Sequence, residues 1–314
     1  MTYAGNLDTL DSLSGDDRHV FVHGDICDKG LVSRLLREYR PQGIVNFAAE
    51  SHVDRSIEGP SVFVRTNVQG TLNLLECANR FREESDKEFQ DHFRFLHVST
   101  DEVYGSLGEK GTFLETTPYA PNSPYAASKA AADHLGRAFH KTYGFPTLTT
   151  NCSNNYGPFQ FPEKLNPLII LNALERKPLP VYGDGLQVRD WLYVNDHVDA
   201  IRTVLAEARP GTVYNVGGDS EKTNLDVIHT ICDTLDRLRP DDGGPRRSLV
   251  THVQDRPGHD RRYAIDCSRL KSELGWQPAM TFERGLESTV RWYLENTHWI
   301  ERVQDGSYQG ERLG

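Results

Sequence analysis

Short apolar runs alternate with amphipathic stretches through the first half of the chain. Four of these runs have the length and content of buried parallel strands, and they are residues 19–26, 43–49, 93–99 and 146–151. Helices are predicted at residues 31–40, 60–80 and 124–143. The last two begin with proline, whose missing N–H has no partner in a first helical turn. Strands that alternate with helices predict an α/β fold with a doubly wound parallel sheet.

The pattern changes from about residue 154, where loops lengthen and glycine and proline cluster. The elements predicted beyond this point are strands at 179–182 and 213–216 and helices at 195–208, 223–238 and 282–295. We interpret residues 1–153 as a dinucleotide-binding domain. Residues 154–314 are interpreted as a smaller, mixed α/β lobe that binds the substrate, with some segments returning to the first domain.

Composition narrows the classes of partner. The 314 residues carry a net charge of −10, which argues against nucleic acid or an anionic membrane surface. No apolar run is long enough to span a bilayer, and the first residues lack the features of a signal peptide. Five scattered cysteines without metal-ligand spacing favour a reducing compartment over a disulfide scaffold or a metal site. We therefore expect a cytoplasmic protein.

A phenol and an ammonium lie four residues apart on the helix predicted at 124–143. Tyr125 and Lys129 would face the same side, with Cβ atoms roughly 5–6 Å apart. The pKa of a free tyrosine, about 10, is too high for a base at neutral pH, and a neighbouring ammonium lowers it. Such a phenolate can take a proton from a hydroxyl while the carbon gives hydride to a nicotinamide. A surface tyrosine and lysine on an ordinary helix is the alternative.

Two carboxylates follow the strand predicted at 93–99. Asp101 and Glu102 come directly after Thr100, where the chain is expected to turn. Neighbouring carboxyls push their pKa values apart, which leaves one protonated and the other ionised. A base and an acid side by side are what the elimination of water next to a ketone requires. Solvated turn residues are the alternative interpretation.

Longer phrases carry a resemblance over nearly the whole chain. They are residues 48–56, 66–71, 99–105, 123–129, 154–158, 162–165, 182–185, 189–191 and 255–260. By these phrases the chain resembles the extended short-chain dehydrogenases/reductases, and within them the dTDP-glucose 4,6-dehydratase family. The resemblance implies a Rossmann-like fold with bound NAD. It also implies a homodimer whose helical bundle is formed by residues 60–80 and 124–143.

The resemblance implies a lyase reaction on dTDP-glucose. The sugar is oxidised at C4, loses water across C5 and C6, and regains hydride at C6 to give dTDP-4-keto-6-deoxy-glucose. Glu102 would be the base at C5, Asp101 the acid at C6, and Thr100 a partner of the C4 oxygen beside Tyr125. Related epimerases and decarboxylases usually lack the Asp-Glu doublet. Such an enzyme, or a non-catalytic protein that binds a sugar nucleotide, is the alternative.

The resemblance also assigns ligand-binding residues. For NAD they are Asp25, Ile26, Ala48, Ala49, Glu50, Ser51, His52, Thr66, Tyr125, Lys129, Cys152 and Asn155. For the sugar nucleotide they are Ser51, Thr100, Asn154, Lys164, Leu165, Pro180, Val181, Tyr182, Arg189, Asn224, Arg256 and His259. Arg189 and Arg256 are the strongest candidates for the diphosphate, because arginine offers a bidentate fork. An ion pair within the protein is the alternative for each.

One expected feature is not found in the sequence, namely the glycine-rich turn that holds a pyrophosphate. Residues 2–6 match a phrase that follows the second strand in the family, so roughly 30 residues, one strand–helix–strand unit, are missing. Gly105, Gly108 and Gly111 have a similar spacing, but no apolar helix follows them, so we interpret them as a loop. The strand at 19–26 would then lack a neighbour and expose apolar surface. Our hypothesis is that the native protein is longer and carries the missing strand–helix–strand unit.

Overall fold

The structure, a computed structural model, describes residues 4–255 and 258–304. Its strands are β1 (Gly43–Asn46), β2 (Arg94–Thr100), β3 (Thr147–Cys152), β4 (Asn154–Tyr156), β5 (Leu179–Tyr182), β6 (Val188–Tyr193), β7 (Val213–Val216), β8 (Glu221–Thr223) and β9 (Val250–Val253). The largest sheet has four parallel strands in the order β1-β2-β3-β7. Two small sheets have the orders β4-β6-β8 and β5-β9.

Twelve α-helical segments are found in the described residues. They are α1 (Lys29–Tyr39), α2 (Val53–Glu58), α3 (Pro60–Phe63), α4 (Thr71–Glu83), α5 (Lys87–His92), α6 (Pro124–Tyr143), α7 (Leu165–Leu174), α8 (Val194–Glu207), α9 (Asn224–Leu238), α10 (Ser268–Leu274), α11 (Phe282–Glu295) and α12 (Thr297–Gln304). None of these helices combines the length and apolarity that crossing a bilayer requires.

Helices cover both faces of the four-stranded sheet. Phe95 and Leu96 are adjacent in β2, so their side chains point to opposite faces. Phe95 packs with Leu75 of α4 in one core cluster. Leu96 packs with Leu148 of β3 and Val204 of α8 in another. The predicted doubly wound parallel sheet is confirmed.

A third core cluster belongs to the second half of the chain. It joins Ile170 of α7, Ile231 of α9 and Leu286 of α11 with β5 and β6. The strands predicted at 179–182 and 213–216 and the helix at 282–295 are confirmed at their predicted bounds. The strand at 213–216 is β7, which pairs with β3, so this segment returns to the large sheet.

The strand predicted at 19–26 is wrong. No described strand pairs with these residues, and the segment has no regular secondary structure. Val20, Phe21 and Val22 are between 37% and 56% exposed, although their composition is that of a buried strand. A strand forms only where a neighbour satisfies its backbone groups. The expectation that this segment would expose apolar surface is confirmed.

The helix predicted at 60–80 is present but not uniform. It begins at Pro60 as α3, continues as a π-helical segment over Val64–Gly70, and resumes as α4. Such π turns inside helices are frequent at functional sites. Thr66, one of the residues assigned to NAD, lies in this segment.

Candidate active site

The two carboxylates stand on a short 3-10 turn, Asp101–Tyr104, that begins where β2 ends. The hydroxyl oxygen of Thr100 caps the turn by accepting the Glu102 N–H at 3.3 Å. The Tyr104 hydroxyl fixes the other end through hydrogen bonds to buried asparagines of β3 and β7. The turn places the two carboxylates in different surroundings. Asp101 is buried, whereas Glu102 is partly exposed and lines a cavity.

The environment of Asp101 favours its protonated form. Burial raises the pKa of Asp101 well above its usual value, and the carboxylates of Glu102 and Asp190 raise it further. The Arg189 guanidinium opposes this shift in pKa without cancelling it. Oδ2 of Asp101 has no hydrogen-bond partner among the described residues. A carboxyl that keeps its proton in this way suits an acid that protonates a leaving hydroxyl.

Tyr125 and Lys129 lie at the start of α6, on the side that faces β2. Ser123 caps this helix with its side chain, and Pro124 occupies the first helical turn. Both Tyr125 and Lys129 are buried. Lys129 Nζ donates to the Val98 carbonyl oxygen at 2.7 Å. The alternative of a surface pair on an ordinary helix is therefore wrong.

The expected lowering of the Tyr125 pKa is not found. Burial raises the pKa of Tyr125 well above its usual value, and the charges of Glu102 and Cys152 act in the same direction. The hydrogen bond with Thr100 lowers this pKa but does not outweigh burial. The phenol thus holds its proton in the protein alone. To act as a base it needs added positive charge beside it.

A cavity of about 230 Å³ opens between the carboxylates and the second half of the chain. Its wall includes Glu102 together with nine of the residues assigned to the sugar nucleotide. Those nine are Ser51, Asn154, Lys164, Leu165, Pro180, Tyr182, Arg189, Asn224 and His259. Two assigned residues are not in the wall: Thr100 is buried behind it, and the Val181 side chain lies in a core cluster. Arg256 lies outside the described residues.

Arg189 is held by the protein at the cavity wall. Its guanidinium lies 4.2 Å from the centre of the Tyr263 ring and donates to the Asp260 carbonyl oxygen at 2.9 Å. A second hydrogen bond goes to the carbonyl oxygen of Val188 at 2.8 Å. No carboxylate within the described residues forms an ion pair with Arg189. The side chain is fixed through neutral groups, which leaves its charge available to an anion.

The loop that follows β1 contains residues assigned to NAD and is anchored to α6 by Asn67, which was not assigned from the sequence. Asn67 of the π segment accepts the Glu50 N–H at 2.8 Å and donates to the Glu50 carbonyl oxygen at 3.0 Å. It also donates to Ser128 Oγ at 2.8 Å. Ala48, Ala49, Ser51 and His52 belong to this loop, and His52 caps α2. The sequence shows this asparagine in the matched phrase 66–71, but it does not show which residues the side chain contacts.

The remaining cofactor assignments fall in two places. Cys152 ends β3, and Asn155 in β4 donates to its sulfur at 3.6 Å. Burial raises the pKa of the Cys152 thiol to about 12. Asp25 and Ile26 instead line a separate apolar groove beside α1, where Arg65, next to Thr66, pairs with Asp25 at 3.2 Å. Asp25 and Ile26, which the resemblance assigns to the adenine end of NAD, therefore lie in a different pocket from Glu102.

The residues at the carboxyl ends of β1, β2 and β3 suit the nicotinamide half of NAD. A buried phenol, a buried ammonium and a partly buried thiol lie where ligands bind in open α/β sheets. The pyrophosphate half is different. No helix of the described residues starts from a glycine-rich turn after a strand.

Tyr263 and Asp260 are cavity residues that the sequence reasoning did not assign. The Tyr263 ring supports Arg189, and its hydroxyl donates to Asp260 Oδ2 at 2.5 Å. Asp260 belongs to the matched phrase 255–260, which was a usable signal. Nothing in the local sequence marks Tyr263, because its position depends on how the segment 258–265 pairs with Val188 of β6 and with the loop at 107–113.

Comparisons with known proteins give a consistent result. A family model described as GDP-mannose 4,6 dehydratase matches residues 1–289. The dTDP-glucose 4,6-dehydratase of Xanthomonas campestris pv. campestris is 65% identical over 315 residues, covering 100% of this chain and 90% of that protein. A dTDP-glucose 4,6-dehydratase from Streptomyces venezuelae, solved with NAD and dTDP bound, has a TM-score of 0.88 and 48% identity. That similarity covers 96% of this chain and 88% of the other.

A more distant structural relative has a different activity. The UDP-glucose 4-epimerase of Thermus thermophilus, solved with NAD, has a TM-score of 0.79 and 29% identity. The similarity covers 89% of this chain and 86% of the epimerase chain. The fold alone therefore does not separate dehydratases from epimerases, and the residues of the site must do so.

Proposed function

The chain belongs to the dTDP-glucose 4,6-dehydratase family, and from this membership we propose that it eliminates water from dTDP-glucose. The product is dTDP-4-keto-6-deoxy-glucose. The enzyme is an NAD-dependent lyase, and its NAD is regenerated within each turnover. The observation that carries the proposal is the buried Asp101, whose pKa burial raises, next to the partly exposed Glu102 at the end of β2.

The site residues divide the reaction among themselves. Tyr125 takes the proton of the C4 hydroxyl, with Lys129 beside it and Thr100 as the partner of the C4 oxygen. A bound NAD would supply the hydride chemistry, as acceptor at C4 and as donor at C6. Glu102 removes the C5 proton, which the C4 ketone has made acidic. Asp101 gives its proton to the C6 hydroxyl, so that water leaves, and a proton returns to C5 as C6 is reduced.

Added positive charge explains how Tyr125 becomes a base. Its pKa is raised in the protein alone. The cationic nicotinamide of bound NAD, together with the Lys129 ammonium, would stabilise the phenolate. Deprotonation of Tyr125 is thereby linked to the presence of the oxidised cofactor.

The sugar nucleotide is proposed to lie along the cavity of about 230 Å³. Arg189 faces the diphosphate, with Lys164 and His259 further along the same wall. Lys164 Nζ already donates to the Ser51 carbonyl oxygen at 3.2 Å, which links the second lobe to the loop after β1. His259 Nδ1 lies 2.6 Å from Asp255 Oδ1, and this contact orients its ring.

Incubation with dTDP-glucose tests the proposal, because a 4-keto-6-deoxy sugar absorbs light in alkali. We expect this absorbance to appear with dTDP-glucose and NAD. An epimerase would convert the sugar without producing the absorbance. A binding protein would take up dTDP without NAD in calorimetry and leave the sugar unchanged. Either result would refute the proposal.

Glu102→Gln is the matched test of the base. The amide keeps the shape of the side chain but cannot accept the C5 proton, so the rate of ketone formation should fall by about 10²–10⁴-fold. Glu109→Gln removes an exposed carboxylate seven residues later and should leave turnover unchanged. Near-normal turnover of Glu102→Gln would remove Glu102 as the base.

We also propose that the protein is a homodimer in the cytoplasm. Ile57 of α2, Val62 of α3 and Val64 of the π-helical segment are exposed apolar residues at the start of the helical stretch that the resemblance assigns to the dimer bundle. All five cysteines are free thiols, which is typical of proteins in reducing compartments.

A further inference from the structure

A third ionisable side chain continues the line of Tyr125 and Lys129 along α6. Asp133 follows Lys129 by four residues and lies on the same helical face. It is 5% exposed. Its Oδ2 accepts hydrogen bonds from Ser99 Oγ at 2.8 Å and from the Tyr119 hydroxyl at 3.0 Å. Oδ1 makes no hydrogen bond to any described residue.

The ring of His97 lies beside Oδ1, with its Nε2 3.4 Å away. Asn46 fixes the state of this ring. Asn46 Oδ1 accepts the Ala48 N–H at 3.2 Å, so its Nδ2 is the atom that faces His97 Nδ1, at 3.2 Å. Nδ1 is therefore the acceptor, and the ring proton is on Nε2, towards Asp133.

His97 does not supply the positive charge that Asp133 needs. Burial and the Lys129 ammonium lower the pKa of His97 well below its usual value, so the ring is neutral. The remaining cation in this cluster is Lys129. Its Nζ is held by the Val98 carbonyl oxygen at 2.7 Å and lies 3.4 Å from His97 Nε2, and neither of these groups carries negative charge.

We propose that Asp133 is a positioning residue that keeps Lys129 in its ammonium form. A buried ammonium without a counter-charge loses its proton, because desolvation penalises the charged state. With Asp133 ionised, the ammonium persists and stabilises the phenolate of Tyr125. This inference rests on the proposed function, since Tyr125 is the base of that reaction.

The surrounding groups are consistent with Asp133 acting as the counter-charge of Lys129. The titratable groups that face Lys129 and Asp133 from the packed elements are His97, Tyr104, Tyr119, Tyr125 and Cys152. Burial raises the pKa of Asp133, Lys129 and the hydrogen bonds from Ser99 and Tyr119 oppose that change, and the resulting pKa is about 7. Burial lowers the pKa of Lys129, and Asp133 opposes that change. As the pH falls through about 7, Asp133 takes up a proton and Lys129 loses its counter-charge.

Asp133→Asn tests the inference. The amide oxygen can still accept the hydrogen bonds of Ser99 and Tyr119, while the negative charge is lost. We expect the acid limb of kcat/KM for dTDP-glucose to move to higher pH by at least one unit, which is a tenfold loss at pH values well below the wild-type midpoint. Asp133→Glu should move the limb back towards wild type. A purely structural role would lower the rate without moving the limb.

Tyr119→Phe is a milder variant in case Asp133→Asn does not fold. It removes one hydrogen bond that favours the Asp133 carboxylate, so the limb should move in the same direction by a smaller amount. An acid limb unchanged in every folded variant would overturn the inference.

A titration that does not depend on turnover separates this inference from the proposed function. In protein labelled with ¹⁵N at lysine Nζ and saturated with NAD, the Lys129 resonance is assigned by its loss in Lys129→Arg. We expect the Lys129 pKa to fall by at least one unit in Asp133→Asn, a tenfold gain in the neutral form. An unchanged Lys129 pKa would refute the role of Asp133 even in an active enzyme. The expected fall in a protein that is inactive on dTDP-glucose would refute only the proposed function.

Discussion

At the scale of single residues, burial decides which of two adjacent carboxyls carries the proton. Asp101 and Glu102 have nearly the same intrinsic pKa, yet one is buried against Asp190 and Arg189 and the other faces the cavity. The raised pKa of Asp101 means that it stays protonated at pH values where an exposed aspartate has ionised. This difference in surroundings supports the proposed roles of the two neighbouring residues as acid and base of an elimination.

The pH dependence of turnover should report this proton. As the pH rises through the elevated pKa of Asp101, the acid is lost, so kcat should fall on the alkaline side. Asp101→Asn cannot donate a proton, and we expect kcat to be about 10²–10⁴-fold lower and the alkaline limb to disappear. Steady-state kinetics from pH 5 to pH 10 measures both effects. A variant that retains the wild-type limb would show that another group is titrating.

Sequence spacing was sufficient for residues whose chemistry is local. The Asp101-Glu102 doublet and the Tyr125–Lys129 pair were visible because each depends on neighbouring positions or on one helical turn. The predicted direction of the shift in the Tyr125 pKa was wrong, because burial raises this pKa and burial is set by the packing of distant segments. Asn67 and Tyr263 were missed for the same reason, because their partners are far away in the chain.

At the scale of elements, the site depends on a change of backbone direction after β2. Gly105 ends the 3-10 turn with φ 87° and ψ −149°, a conformation that is essentially restricted to glycine. A Cβ at this position would come within 2.4 Å of the Ala120 carbonyl oxygen. The turn that aims Asp101 and Glu102 therefore requires glycine at this place.

Gly105→Ala should destabilise the protein by at least roughly 1–3 kcal/mol because of its backbone conformation alone, and it should also lower kcat by displacing the turn. Gly108→Ala is the matched control, since no atom lies within 4 Å of its added Cβ and its φ is not in the left-handed region. Urea denaturation followed by circular dichroism gives both free energies of unfolding. Equal stability of the two variants would contradict the claim that the turn requires glycine at position 105.

A helix or strand was predicted correctly where the described residues supply the groups that stabilise it. The helix at 124–143 has its cap, its proline and its terminal glycine in the local sequence, and it was predicted at its observed bounds. The loop interpretation of Gly105, Gly108 and Gly111 is confirmed, since no helix follows them before α6. The segment 19–26 failed because a strand also needs a partner, which composition does not report.

At the scale of the whole molecule, the cavity is built from two regions with separate hydrophobic cores. β2, the turn after it and α6 carry the proposed reacting groups, and α7, β5, β6 and the segment 258–263 supply the opposite wall. Contacts such as Lys164 with the Ser51 carbonyl oxygen connect the two regions at the cavity. A fold shared with epimerases can support a dehydratase when residues of the site differ, and we propose the Asp-Glu doublet as that difference.

The proposed dimer can be tested at Val62, one of the exposed apolar residues at the start of the predicted bundle. Val62→Glu places a charge on a surface that would be buried between two copies, so we expect the protein to shift from twice 35.5 kDa towards 35.5 kDa. Val198→Glu is the matched control, because Val62 and Val198 are both 46% exposed and Val198 lies on α8. Sedimentation velocity measures both masses. A Val62→Glu variant that stays dimeric would exclude this face.

The fate of the hydrogen at C4 tests the central claim most directly. In the proposed reaction, the hydride removed from C4 returns to C6 of the same sugar. With dTDP-glucose deuterated at C4 and the NAD-loaded enzyme, proton NMR of the product should show deuterium in the C6 methyl group next to a C4 ketone. Deuterium that stays at C4, in an unchanged sugar or in its epimer, would contradict the account.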